Sequence, residues 1–184
     1  KAMLVAYTRP ESGWYELDRT QRLMEQSIAE CTIKEEVESL IEKARAAYRN
    51  LADSIQHRFL EQVEASGWPP DDMIRQAQVY DRLILPALSA REKTAYILAD
   101  SLRYEMGRDL AQSLTDLGQV NSDFATGTLP TITEVGMAAL LPGADGALTF
   151  KLEGDTPVPC IGDNALKNLS ARLDFLREKL GDRM

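Results

Sequence analysis

Histidine is nearly absent from this chain of 184 residues: there is one, His57. No Ser-His-Asp arrangement near Asp100 is supported, and a single histidine cannot build a multi-histidine metal centre. His57 falls in a long amphipathic pattern, where a lone histidine reads as a surface or half-buried helix residue. Cysteine is scarce too. Cys31 and Cys160 lie far apart and form no CxxC pair, which points to a reducing, cytoplasmic compartment and away from a zinc ribbon. Both read as small buried apolar residues. Neither GxGxxG nor GxxxxGK[ST] occurs, so nucleotide binding through a phosphate loop is not expected. No apolar run approaches the roughly 18 residues of a membrane span. The opening "KAMLVAYTRPESGWYELD" is no signal peptide, its apolar run being too short. Opening on Lys1, the chain reads as a piece excised from a longer protein.

Basic blocks are missing as well. Acids number 29 and bases 21, for a net charge of −8. The excess is spread evenly: 15 acids against 11 bases through residue 90, and 14 against 10 after it. Such mild acidity serves solubility and leaves no nucleic-acid footprint.

What is present is helical periodicity followed by an α/β pattern. "ESGWYELDRTQRLMEQS" reads as a turn and a short helix. From Glu35 to about Ala65, apolar residues from Val37 to Val63 recur at steps of three and four. Thr32 and Glu35 have capping-box spacing, and Gly67 with Pro69-Pro70 supplies the stop. "DDMIRQAQVYDRLILPALS" is expected to pair with that helix, capped by Asp71 or Asp72 and kinked or ended by Pro86. Residues 1–90 thus form a helical N-terminal region.

Residues 91–184 change character. "TAYILA" is continuous, apolar and partly β-branched, the pattern of a strand buried on both faces in a parallel sheet. "SLRYEMGRDLAQSLTDLG" follows as a helix, with Leu102, Met106, Leu110, Leu114 and Leu117 on one side and Gly118 as its stop. "QVNSDFATGTL" is a second strand with a loop, and "TITEVGMAALLPG" a short helix closed by Pro142-Gly143. "ALTFKLEGDTPVP" is a strand or extended arm. "NALKNLSARLDFLREKLGDRM" is a last helix with a leucine seam. The order predicts an α/β domain built on a parallel sheet.

Two places could carry chemistry. Asp100 ends the first expected strand, where open α/β sheets bind ligands, and an acid there can hold a hard or borderline cation. The structural alternative is a helix N-cap. In "LPTITEVGMAALLPG", a hydroxyl at a helix start is placed for nucleophilic work on phosphate. Thr131 has capping-box spacing to Glu134, which makes it structural by default. Thr133 would lie inside the first turn. The residues alone leave both readings open.

The stretches "ILADSLRYE" and "LPTITEVGMAALLPG" resemble the PglZ domain family of bacterial BREX-type phage-defence systems, related to the alkaline phosphatase superfamily. Members read Asp-Ala-Leu-Arg-Tyr-Glu after a hydrophobic strand; here Ser101 replaces the Ala. They then read Leu-Pro-Ser-Tyr-Thr before Gly-Met-Ala-Ala-Leu-Leu-Pro; here Thr131 and Ile132 replace Ser and Tyr. The resemblance covers about residues 45–175 and is most specific at "GMAALLPG".

It implies the first part of an alkaline-phosphatase-like parallel-sheet domain, with Asp100 as the first metal ligand. Thr133 is implied as nucleophile by its ten-residue spacing to Gly143, with Thr131 the alternative. Arg103 and Glu105 belong to the motif without an assigned role. The whole protein would be a metal-dependent phosphodiesterase or phosphatase, zinc being the expected ion. Its phosphate ester substrate is not specified, and its partners would be other defence-system proteins. Later Asp and His ligands of the superfamily are missing here, so the fragment alone is expected to bind no metal stably and to be inactive. The competing reading is a non-catalytic interaction module of a defence complex.

Overall fold

A computed structural model describes residues 1–181. The chain divides into two compact units. One comprises Lys1–Asp71 with Leu102–Phe124, the other Asp72–Ser101 with Ala125–Met184. Both are discontinuous in sequence, and the chain passes from one to the other between Ser101 and Leu102.

The first unit is helical: α1 (Ala2–Thr8), α2 (Tyr15–Glu30), α3 (Lys34–Ser66) and α5 (Tyr104–Ser113). At 33 residues α3 runs roughly 50 Å at 1.5 Å per residue. It ends where the periodicity ends, at Gly67, whose φ of +78° suits a residue without a Cβ. The expected capping box at its start does not form. Ile33 is the N-cap and no side chain caps the helix, Glu35 and Glu36 instead placing negative charge in the first turn. Charged pairs join the helices. Arg45 forks onto the Glu25 carboxylate, linking α2 to α3, and Arg19 and Arg22 both reach Asp109 of α5. Of the expected apolar seam only Met106 and Leu110 lie within α5, and the seam residues are not covered. Leu102, Met106, Leu110, Leu114 and Leu117 are 36 to 82 % exposed. The helix also stops at Ser113, short of Gly118.

The second unit carries the sheet. Gln76–Gln78 form a 3-10 turn, Tyr80–Ile84 a π-helical turn, and Leu85–Ser89 the short helix α4. Neither Asp71 nor Asp72 caps a continuous helix here. Pro86 accounts for the widened turn before it. It has no N–H for the carbonyl four residues back, so the regular ladder cannot run through. Then come α6 (Thr133–Ala139), β1 (Leu148–Glu153), β2 (Thr156–Ile161), β3 (Asn164–Ala165) and α7 (Leu169–Leu180). Asn168 caps α7, accepting from the Ala171 amide at 2.9 Å. The last three residues of the expected C-terminal helix lie outside the described residues.

The fold class is mixed α/β, with a helical N-terminal part. Among the described residues, however, the sheet is three-stranded and antiparallel, in the order β1-β2-β3. The expected parallel arrangement is not found. "TAYILA" belongs to no strand, and Ile97 is 85 % exposed. An apolar run becomes a strand only when neighbours satisfy its N–H and C=O groups, and none of the described strands pairs with it. The expected second strand reduces to an isolated parallel bridge between Arg75 and Thr126. The sheet lies later, where "FKLEGDTPVP" folds back at Gly154-Asp155 as a hairpin, Gly154 taking φ +62°.

The core of this unit joins α6, the sheet and α7. Ala138, Leu141, Ala144, Ile161, Leu166 and Phe175 pack as one buried cluster. "GMAALLPG" is therefore a core-forming stretch: its alanines let α6 lie close on β2. Cys160 is buried as expected, while Cys31 is half-buried.

Candidate functional site

Thr133 is the first residue of α6. Its hydroxyl donates to Asp100 Oδ2 at 3.1 Å, across 33 positions of sequence. Both side chains are exposed. Neither is a helix cap. The N-cap of α6 is Ile132, with no capping side chain, so the Thr131–Glu134 capping box does not form. The helix after Asp100 starts at Tyr104 with Arg103 as its N-cap, leaving Asp100 in a turn three residues upstream of that cap. Ser101, its neighbour in that turn, takes φ +57°, a left-handed conformation that costs a residue with a Cβ about 1–2 kcal/mol.

Two further side chains, Tyr96 and Gln76, hold this pair through three hydrogen bonds. The Tyr96 hydroxyl donates to the carbonyl of Leu140, the residue that closes α6, at 3.0 Å. The segment from Tyr96 to Asp100 is thus strung along α6, tied at both ends of the helix. Burial, with a smaller contribution from Tyr80, pushes the Tyr96 phenol up to about 12, so it stays a donor across the neutral range. On the other side, the Gln76 amide donates to Gly136 O at 3.2 Å and accepts from the Thr128 amide at 3.0 Å. One side chain therefore fixes both the first turn of α6 and the loop leading into it. Nothing in the sequence distinguished Gln76 or Tyr96 from their neighbours. Their roles come from contacts 44 to 60 positions away.

The other motif residues are placed differently. Thr131 is exposed in the loop, its methyl beside Gly127, and makes no side-chain hydrogen bond among the described residues. Arg103 and Glu105 belong to the helical unit, and no ion pair between them is found among the described residues. Glu105 is 1 % exposed, and neither of its carboxylate oxygens has a hydrogen-bond partner among the described residues.

Residues 79–156 match the family of BREX system PglZ alkaline phosphatase-like domains. Over these residues the chain is PglZ-like. The chain is also 25 % identical over 138 residues to the alkaline phosphatase-like protein PglZ of Bacillus cereus. That alignment takes in 72 % of this chain and 16 % of the relative, so the chain spans about one-sixth of that protein. No solved structure matches. The PglZ-like stretch contains Asp100, Arg103, Glu105, Thr131 and Thr133, and with them the Asp100–Thr133 contact.

The alkaline phosphatase superfamily is generally metal-dependent. A divalent ion needs about four to eight donors. The two side chains supply at most three oxygens, two from the Asp100 carboxylate and one from the Thr133 hydroxyl. Among the described residues no group of three or more His, Cys, Asp or Glu is placed to hold a metal ion. These residues do not by themselves make up a metal site.

Proposed function

We propose that this chain is the front part of a cytoplasmic, metal-dependent phosphohydrolase of a BREX-type defence system, with Thr133 as nucleophile and Asp100 beside it. The observation that supports this reading is the hydrogen bond from the Thr133 hydroxyl to the Asp100 carboxylate. An aligned acceptor within hydrogen-bond reach is what a weakly nucleophilic hydroxyl requires. In the proposed reaction, Thr133 Oγ1 forms a bond to phosphorus while the bond to the ester oxygen breaks, and the leaving oxygen departs with that electron pair. The threonine proton passes along its hydrogen bond to Asp100 Oδ2 and from there to the departing oxygen. Water then cleaves the phosphothreonine and frees the hydroxyl. Asp100 would also be one ligand of a divalent ion, zinc by expectation, whose other ligands lie elsewhere in a longer protein. The 184-residue chain alone is then inactive.

A second reading is a non-catalytic docking module for other defence proteins, and the exposed leucines on and beside α5 favour it. The test uses a longer protein that includes downstream sequence. Zinc and manganese binding is followed by calorimetry, and turnover on a bis-aryl phosphate, for the unchanged protein and for Asp100→Ala, Thr133→Ala and Thr131→Ala. The hydrolase reading expects metal affinity to fall with Asp100→Ala and turnover to vanish with Thr133→Ala but survive Thr131→Ala. A protein that binds no metal and turns over nothing leaves the docking module.

A further inference from the structure

Far from that chemistry in sequence, the helical unit contains a cavity of about 380 Å³ between α1, α2 and α3. Four aromatic side chains line it: Tyr7, Trp14, Tyr48 and Phe59. Asp18 supplies the one charged group among the lining residues, and no Lys, Arg or His is among them. The Tyr7 hydroxyl donates to Asp18 Oδ2 at 2.5 Å and the Tyr48 hydroxyl to Oδ1 at 2.9 Å. Each carboxylate oxygen can accept two hydrogen bonds, so both keep an open acceptor position. Burial first, and then Asp18, push the Tyr7 phenol far above its ordinary range, so it serves only as a donor.

We propose that this cavity binds an organic cation with an apolar body, an alkylammonium or guanidinium group, held against Asp18 between the aromatic walls. Aromatic faces attract cations through their quadrupoles, more strongly where water is excluded. An anion would meet the Asp18 carboxylate with no Lys, Arg or His among the lining residues to offset it. A bare metal ion would find too few oxygens and mostly apolar walls. A neutral apolar ligand would leave the open acceptor positions of Asp18 unused. The same chemistry can come from a free small molecule or from an arginine or lysine side chain of a partner polypeptide.

Calorimetry on the 184-residue chain tests this with two matched pairs. Choline is compared with its neutral isostere 3,3-dimethylbutan-1-ol, and the capped peptide Leu-Arg-Leu with its citrulline counterpart. The cationic member of at least one pair should bind about tenfold more tightly, as expected for a desolvated cation–aromatic and carboxylate contact. A preference confined to choline identifies a free ligand; one confined to the arginine peptide identifies a polypeptide partner. Asp18→Asn should abolish the preference. Because that change also disturbs two tyrosine hydrogen bonds, Trp14→Leu provides the second variant. Trp14 is 39 % exposed, so its replacement should weaken cation binding severalfold and leave thermal unfolding nearly unchanged. Equal binding of the neutral members overturns the proposal. So does the lack of saturable heat with either cation, or full affinity in a folded Trp14→Leu.

Discussion

The Tyr96 hydroxyl donates to the Leu140 carbonyl, and four residues further on Asp100 accepts from Thr133 at the opposite end of the same helix. Tyr96 is therefore a structural strut for the Asp100 segment. Tyr96→Phe keeps the ring against Tyr80 and removes only the hydrogen bond, leaving a partly buried carbonyl unsatisfied. The expected loss is about 1 kcal/mol of stability, read as a lower denaturant midpoint.

The same residue predicts an alkaline dependence. The Tyr96 phenol is raised to about 12 in the folded chain from an ordinary 10.0. Below pH 10 both folded and unfolded forms hold the proton, and the contribution is fully present. Between 10 and 12 the unfolded form loses its proton first, so stability falls as pH rises. The Tyr7, Tyr48 and Tyr104 phenols are shifted in the same direction, chiefly by burial. Denaturant midpoints measured up to pH 12 should decline above 10, and less steeply in Tyr96→Phe. A flat profile would contradict the burial of these phenols.

Ser101 offers a test of strain beside Asp100. Its φ of +57° suits glycine better than serine. Ser101→Gly should relieve the backbone cost but pay back part of it in unfolded-chain entropy. The net expectation is a gain of up to about 1 kcal/mol. Ser101→Val, β-branched at a positive φ, should lose more than that. Thermal unfolding of the two variants gives the comparison. A stabilising valine would mean that the turn relaxes out of the left-handed region.

Some of this was readable from sequence and some was not. The run of α3 follows from its period, and its end from Gly67, because both signals are local. Asp100 and Thr133 were singled out by motif position, and their contact gives that choice a geometry. The strand expected at "TAYILA" failed for a non-local reason: an apolar run carries no information about whether a partner strand is within reach. β2 was obscured by Pro157 and Pro159, residues that ordinarily argue against a strand. The α5 seam has the spacing of a buried face yet stays exposed, since periodicity shows which residues share a side and not what covers them. Gln76 sat in what read as a regular helix, where nothing marked its side chain as a clamp.

Asp109 predicts an acid dependence of the opposite sign. The Arg19 hydrogen bond, followed by that of Arg22, holds its carboxyl below the ordinary 3.8, against burial acting the other way. The contribution is present above the ordinary value and is lost as pH falls through the lowered one. Asp109→Asn should lower the melting temperature at neutral pH, and the gap to the unchanged chain should close as pH drops below 3.8. A gap of constant size would mean that the pair acts through packing, not charge.

The last prediction concerns the "GMAALLPG" stretch. Ala138 is fully buried where α6 meets the cluster of Leu141, Ile161, Leu166 and Phe175. A larger side chain there has no room without moving α6 off β2. Overpacking of this kind costs about 1–3 kcal/mol, so Ala138→Leu should lower the denaturant midpoint clearly. Moving α6 also moves Thr133 away from Asp100, whereas Tyr96→Phe removes a tie and leaves the packing intact. On the hydrolase proposal, the two variants therefore separate stability from alignment in a longer protein that includes downstream sequence. Ala138→Leu should lose both, and Tyr96→Phe should reduce turnover with only a modest change in melting temperature. If Ala138→Leu kept full turnover, α6 would not be the element that positions the proposed nucleophile.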